Sequence, residues 1–207
     1  MLLDILIQLY TKILLYLLLL ILTAKSFKTF VKYFISISMD AYECIITKLD
    51  IREYSTQHVP LEIRQKILEA ARSTGTGLNT QHWKFILVEK KDNLNKLSED
   101  STSGSWIAEA NFAIIVLTNP KYKFHLIDAG RVLQNMQLTA WNYRIGSGLF
   151  TGIREEKLRR DFKIPINMHI STIIGFGYPA RMLTGKRKNR KSLDEFVYYE
   201  NYGIASI

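Results

Sequence analysis

Polar side chains and glycines crowd residues 74–82 (Thr74-Gly75-Thr76-Gly77-Leu78-Asn79-Thr80-Gln81-His82), just ahead of Trp83-Lys84 and the apolar run Phe85-Ile86-Leu87-Val88. Gly75 and Gly77 let a backbone approach a ligand closely, and the threonines offer hydroxyls. Asn79 and Gln81 each carry a donor and an acceptor that can read the edge of a heteroaromatic ring. The same residues also suit an ordinary helix-to-strand connection, since Gly and Asn are default turn formers, and the loop alone leaves both readings open. A second candidate is the basic run Lys186-Arg187-Lys188-Asn189-Arg190-Lys191. It fits the phosphate of a small cofactor better than a merely solvated loop. A nucleic-acid surface fits least, because the run has no interleaved aromatics on which bases would stack.

Order along the chain connects these segments to a third, Lys48-Leu49-Asp50-Ile51-Arg52-Glu53-Tyr54. Together the three resemble the nitroreductase family of FMN flavoproteins. In that family an Arg-Arg-Ser-x-Arg-like element opens the domain, a Pro-Ser-x-x-Asn-x-Gln-Pro-Trp-like loop follows a helix, and a basic pair closes it. Here Lys48, Asp50 and Arg52 stand at the first element, and Gly75-Thr76 with Asn79-Thr80-Gln81-His82-Trp83 at the second. Lys188 and Arg190 stand at the third, and the resemblance runs from Met39 to Gly203. The chain departs from the pattern at Lys48-Leu49 in place of an arginine pair, at Asp50 in place of Ser, and at Gly75 and His82 in place of prolines.

The resemblance implies an α+β, three-layer fold with a mixed central β-sheet flanked by helices, assembled as an intertwined homodimer with two flavins at the subunit interface. It implies FMN as cofactor, NADH or NADPH as reductant, and a ping-pong transfer of hydride to an electron-poor small molecule such as a nitroaromatic or quinone. Lys48, Arg52, Lys188 and Arg190 are then expected around the FMN phosphate, with Leu49 and Asp50 beside them. Lys48 and Arg52, four apart, share a face if that segment is helical, and Lys188 and Arg190 share a side if theirs is extended. Thr76, Gly77, Asn79 and Gln81 are expected at the ribityl chain and ring, delivered from the partner subunit. Leu149, Phe150, Thr151 and Gly152 form the loop whose backbone faces flavin N5, with Thr151 and Gly152 the candidates for that contact. A flavoenzyme of other chemistry on the same scaffold, a reductive dehalogenase or a flavin-fragmenting enzyme, would share these cofactor residues. A non-enzymatic flavin or nucleic-acid binder would retain binding without turnover.

Hydrophobic patterning supplies elements to hold these groups. Helices are expected over 41–48, 60–73, 92–99, 125–143 and 155–162, strands over 83–88, 112–117 and 169–176, and a short strand followed by a turn within 146–152. The roughly 165 residues after Met39 suffice for one domain with a substantial core. Cys44 is the sole cysteine, which excludes an internal disulfide and a thiolate zinc cluster and points to a reducing, cytoplasmic setting. The four histidines show no metal-ligand spacing. The +9 formal charge is scattered outside the 186–191 run, so no nucleic-acid partner is expected. Residues 1–38 form a separate apolar extension, with domain residues 39–207 following it. The run 5–22 is borderline for a bilayer span of about 20 residues, and Lys25, Lys28 and Lys32 behind it would leave the domain in the cytoplasm. Two readings stand, a membrane anchor or translation that begins at Met39.

Overall fold

Phe112-Ala113-Ile114-Ile115-Val116-Leu117-Thr118 contains no charged residue, as a strand covered on both faces requires. The computed structural model describes residues 39–181 and 188–204, so the expectations for residues 1–38, and Lys186 and Arg187 of the basic run, lie outside the described residues. The described residues from Ala41 onward belong to one compact unit. Its elements are α1 (Ala41–Thr47), α2 (Leu61–Arg72), β1 (Lys84–Val88), α3 (Lys91–Glu99), β2 (Phe112–Thr118), α4 (His125–Asn142), β3 (Gly146–Phe150), α5 (Glu155–Phe162) and β4 (His169–Gly177). Short 3-10 turns occupy Gly77–Asn79, Ser105–Glu109 and Leu193–Glu195.

The four strands lie in the order β1-β2-β4-β3, and every neighbouring pair is antiparallel. Among the described residues, the mixed sheet expected from the resemblance is therefore realised by a single parallel bridge, Asp50 to Ser147, at the β3 edge. The reason is topological: α4 carries the chain from β2 to β3 in the same direction, and β4 then fills the space between them, antiparallel to both.

Alternation along β2 makes two cores. Phe112, Ile114 and Val116 pack with Ile67 and Ala71 of α2 and with Val132, Met136 and Ala140 of α4. Ala113, Ile115 and Leu117 face the other way, onto Leu94 and Leu97 of α3, Ile107, and Leu158 of α5. Helix, sheet and helix thus form three layers. Helix α4 ends in a Schellman motif, in which Arg144 adopts φ 60° and the Arg144 and Ile145 amides donate to Trp141 O and Ala140 O, each at 2.9 Å. That reversal feeds the chain directly into β3.

Candidate functional site

Segment 48–54 is extended, not helical, and lies along the β3 edge. Asp50 bridges Ser147, the Ile51 amide donates to Ser147 O at 2.9 Å, and Tyr54 bridges Pro179. Glycines make this contact feasible: a Cβ on Gly146 would lie 2.5 Å from Ile51 Cγ1, and one on Gly148 would lie 2.5 Å from the Ile51 carbonyl oxygen. Tyr54 donates its hydroxyl to Ile51 O at 2.8 Å, and burial pushes its phenol well up from the ordinary range.

Lys48 emerges where α1 ends, its amide donating to Cys44 O at 2.9 Å. Its Nζ meets Asp50 Oδ1 at 2.5 Å, with the Lys48 side chain 13% exposed and that of Asp50 63%. Lys188 donates Nζ to Ile45 O in α1 at 2.6 Å. The Lys188 ammonium is held below the usual lysine range, first by burial and then by Arg190 and Lys48, with Asp50 acting in the opposite sense. Lys48, Asp50, Lys188 and Arg190 therefore share one corner, beside half-buried Leu49.

Arg52 faces a different neighbour in the single chain. In an extended chain residues 48 and 52 still face one side, but the rise of about 3.3 Å per residue puts them about 13 Å apart. The Arg52 guanidinium sits instead 5.7 Å from the Trp106 ring centroid, and Trp106 packs edge-on against Phe150 at 5.7 Å. Between Asp50 and Arg181 a cleft of about 360 Å³ opens, lined by Arg52, Glu53, Pro179 and Ala180 among others. Sequence reasoning missed Trp106, which sits in the short 3-10 turn between α3 and β2, where no hydrophobic period marks it.

Beyond Arg52 the β3 edge runs out into the second candidate. Leu149 is half-buried, and Phe150 is buried with its carbonyl accepting the Thr172 hydroxyl at 2.8 Å. Thr151 is exposed. The Gly152 carbonyl accepts the Thr102 amide at 2.8 Å, and a Cβ on Gly152 would meet Thr102 Oγ1 and Ser103 Oγ at 2.5 Å. The turn is clamped from below: the Arg154 amide donates to Asp100 O at 2.6 Å, Arg154 Nη1 donates to Ser101 O, and buried Asp100 pairs with Lys157 at 2.5 Å. Rigid backbone at a strand end, bordered by hydroxyls, suits close approach to a flat ligand.

The polar loop is held by hydrogen bonds within itself and from α4. Leu78, Asn79 and Gln81 adopt φ of 53°, 52° and 46°, a region that Asn enters readily and that Leu and Gln enter when neighbours hold them there. Inside the loop Thr76 Oγ1 accepts the Gln81 amide at 3.0 Å, and Gln81 Nε2 donates to Asn79 Oδ1 at 3.2 Å. Outside it, Asp128 in the first turn of α4 accepts the Gly77 amide at 3.0 Å and lies 3.2 Å from His82 Nε2, both side chains 2% exposed. The Asn119 amide donates to His82 Nδ1 at 3.3 Å, so Nε2 carries the proton and donates to Asp128. Gly77 has no space for a side chain, because its Cβ would lie 2.6 Å from the Phe124 ring. The sequence carried no signal for Asp128, whose partners stand 46–51 residues earlier.

One chain does not bring the loop and the basic corner together. Thr76–Gln81 are fastened at Asp128, near the start of α4, while α1 is fastened at its end, where Trp141 Nε1 donates to Thr47 Oγ1 at 2.9 Å. At the α-helical rise, positions 128 and 141 lie about 20 Å apart. Among the described residues no group of three or more His, Cys, Asp or Glu is placed to hold a metal, and no helix is long and apolar enough to cross a membrane.

A model of the nitroreductase family matches residues 47–110 and 98–178. The chain is 33% identical over 151 residues to a provisionally named NADH dehydrogenase/NAD(P)H nitroreductase of Methanothermobacter thermautotrophicus, spanning 69% of this chain and 78% of that protein. It is 33% identical over 150 residues to one from Archaeoglobus fulgidus, spanning 68% and 86%. An FMN-dependent nitroreductase from Clostridium difficile R20291 superposes with a TM-score of 0.70 at 26% identity, over 77% of this chain and 98% of that one.

Proposed function

Since the chain belongs to the nitroreductase family, we propose that it is an NAD(P)H-dependent FMN oxidoreductase that passes hydride through bound flavin to an electron-poor acceptor, a nitroaromatic or a quinone. The observation that carries this reading is the strip from the basic corner to Gly152. Cations stand at one end, Arg52 about 13 Å along an extended segment, and a clamped glycine turn follows at the end of β3.

The donor set fits FMN. Lys48, Lys188 and Arg190 would hold its terminal phosphate through charge-assisted hydrogen bonds, and Arg52 would reach the polar edge of the ring. The backbone of Thr151 and Gly152 would face N5, a fixed dipole placed where negative charge develops. When bound, FMN would supply the redox chemistry, a two-electron exchange between NADH or NADPH and the acceptor. The protein therefore needs no acid–base pair at this strip; its work is to bind, orient and keep the backbone still.

Separation of the loop from the basic corner supports a homodimer in which Thr76, Gly77, Asn79 and Gln81 complete the partner's site. Apolar side chains left exposed on one chain, among them Tyr42, Ile45 and Ile46 of α1 and Leu126 and Ile127 of α4, supply surface for such an interface. The test is direct. Purified protein is expected to show flavin absorbance, to release FMN and not FAD on denaturation, to bleach with NADH or NADPH, and to scatter light as a dimer. A protein that takes up no flavin on reconstitution refutes the reading, and a flavin-loaded, active monomer refutes its dimeric part.

A further inference from the structure

Asp50 is a carboxylate set among cations at the place where, on the flavin reading above, a phosphate binds. Its position is built into the fold, because its backbone bridges Ser147 and the next amide donates to Ser147 O at 2.9 Å. The carboxylate cannot withdraw by moving the chain without breaking that edge. It engages Lys48 at 2.5 Å, and the same corner holds Lys188 and Arg190. Three cations less one carboxylate leave two positive charges, against the near-dianionic charge of a phosphate monoester at neutral pH.

We infer that Asp50 is a specificity-setting residue that competes with the cofactor's phosphate for Lys48 and so lowers the affinity gained from that phosphate. Binding FMN requires the Lys48 ammonium to be shared between two anions, and the Asp50 carboxylate repels the incoming one. Riboflavin, which has the same ring and ribityl chain without the phosphate, meets neither effect. Asp50 thus narrows the preference for FMN over riboflavin. A side chain that merely supports the site would act on both ligands alike. Repulsion between a unit charge and a dianion at close range, screened by solvent, corresponds to about a fivefold to tenfold change in affinity.

The experiment compares the full chain with Asp50→Asn, which keeps the shape and removes the charge, by titrating flavin-free protein with FMN and with riboflavin at low salt and at about 1 M salt, where the screening length is about 3 Å. Asp50→Asn is expected to bind FMN about fivefold to tenfold more tightly at low salt, with riboflavin affinity unchanged and the FMN gain reduced at high salt. Equal or weaker FMN binding by Asp50→Asn overturns the inference and makes Asp50 a positioning residue for Lys48. Parallel shifts for both ligands overturn it too, since they place the effect outside the phosphate. If the parent chain binds neither flavin, the flavin reading falls and takes the role of Asp50 with it. Thermal unfolding of both proteins without ligand checks that the exposed substitution leaves the fold intact.

Discussion

Replacing Asp128 by alanine should loosen the polar loop and destabilise the domain, by an amount that follows from its hydrogen bonds. The buried carboxylate takes the Gly77 amide at 3.0 Å and the His82 Nε2 proton at 3.2 Å, with Arg131 a more distant third at 3.4 Å. Alanine leaves two buried donors without an acceptor, each worth about 1–3 kcal/mol, so a loss of about 3 kcal/mol is expected. Asparagine keeps one acceptor oxygen and should cost about 1 kcal/mol. For a domain of this size 1 kcal/mol moves the melting temperature by about 2–4 °C, which places Asp128→Ala about 6–12 °C below the parent. Circular dichroism melts at one protein concentration, on flavin-free samples, measure this without interference from ligand or dimer mass action. Amide exchange should quicken across residues 76–81 in the alanine variant. An alanine variant within about 0.5 kcal/mol of the parent, the range of ordinary surface changes, would show that Asp128 does not hold the loop.

Three further outcomes are expected. Gly148→Ala drives a methyl group to 2.5 Å from the Ile51 carbonyl oxygen and 3.0 Å from Trp106, so stability should fall by about 1–3 kcal/mol and FMN affinity with it; unchanged unfolding and titration curves would contradict the tight seating of segment 48–54. Arg190→Ala should weaken FMN by about 1.5–3 kcal/mol while leaving the fold intact, and fluorescence titration showing parental affinity would make that cation a solvated one. His125 is held below the ordinary histidine range by burial first, then by His169 and His82. Its contribution to stability is present above about pH 6.5 and is lost as pH falls toward the lower folded value, because the unfolded chain then binds more protons. Urea midpoints should therefore drop between pH 7.5 and pH 5.5, and the drop should shrink in His125→Asn; an equal drop in both proteins would assign the effect elsewhere.

Local pattern was enough to place the scaffold. Apolar or small residues at 126, 129, 130, 133, 136 and 140 mark α4, and the apolar run 112–117 marks β2, so both were legible to within a residue of their observed bounds. The three elements of the site were legible by type and order. Their distances were not, because whether 48–52 is helical or extended depends on a partner strand almost a hundred residues later, and this changes the separation of Lys48 and Arg52 from about 6 Å to about 13 Å. Asp128 and Trp106 escaped notice for the same reason. A carboxylate in the first turn of a helix is commonplace, and only tertiary burial against Gly77 and His82 makes this one structural.

The placement of β4 between β2 and β3 governs how a nascent chain must behave. Residues 169–177 are the last strand to be synthesised among the described residues, yet they form two of the three ladders, pairing Phe112 with Phe176 and Gly146 with Gly177. Until they leave the ribosome, β2 has a partner on one side only and β3 has beside it only the extended segment 48–54. The open edge of β2 is an apolar template for pairing with other chains, and closure of the loop between Thr118 and His169 precedes the contacts that reward it. Folding is thus expected to be late and cooperative, and chains stopped short of residue 177 should aggregate instead of accumulating as a soluble partial fold.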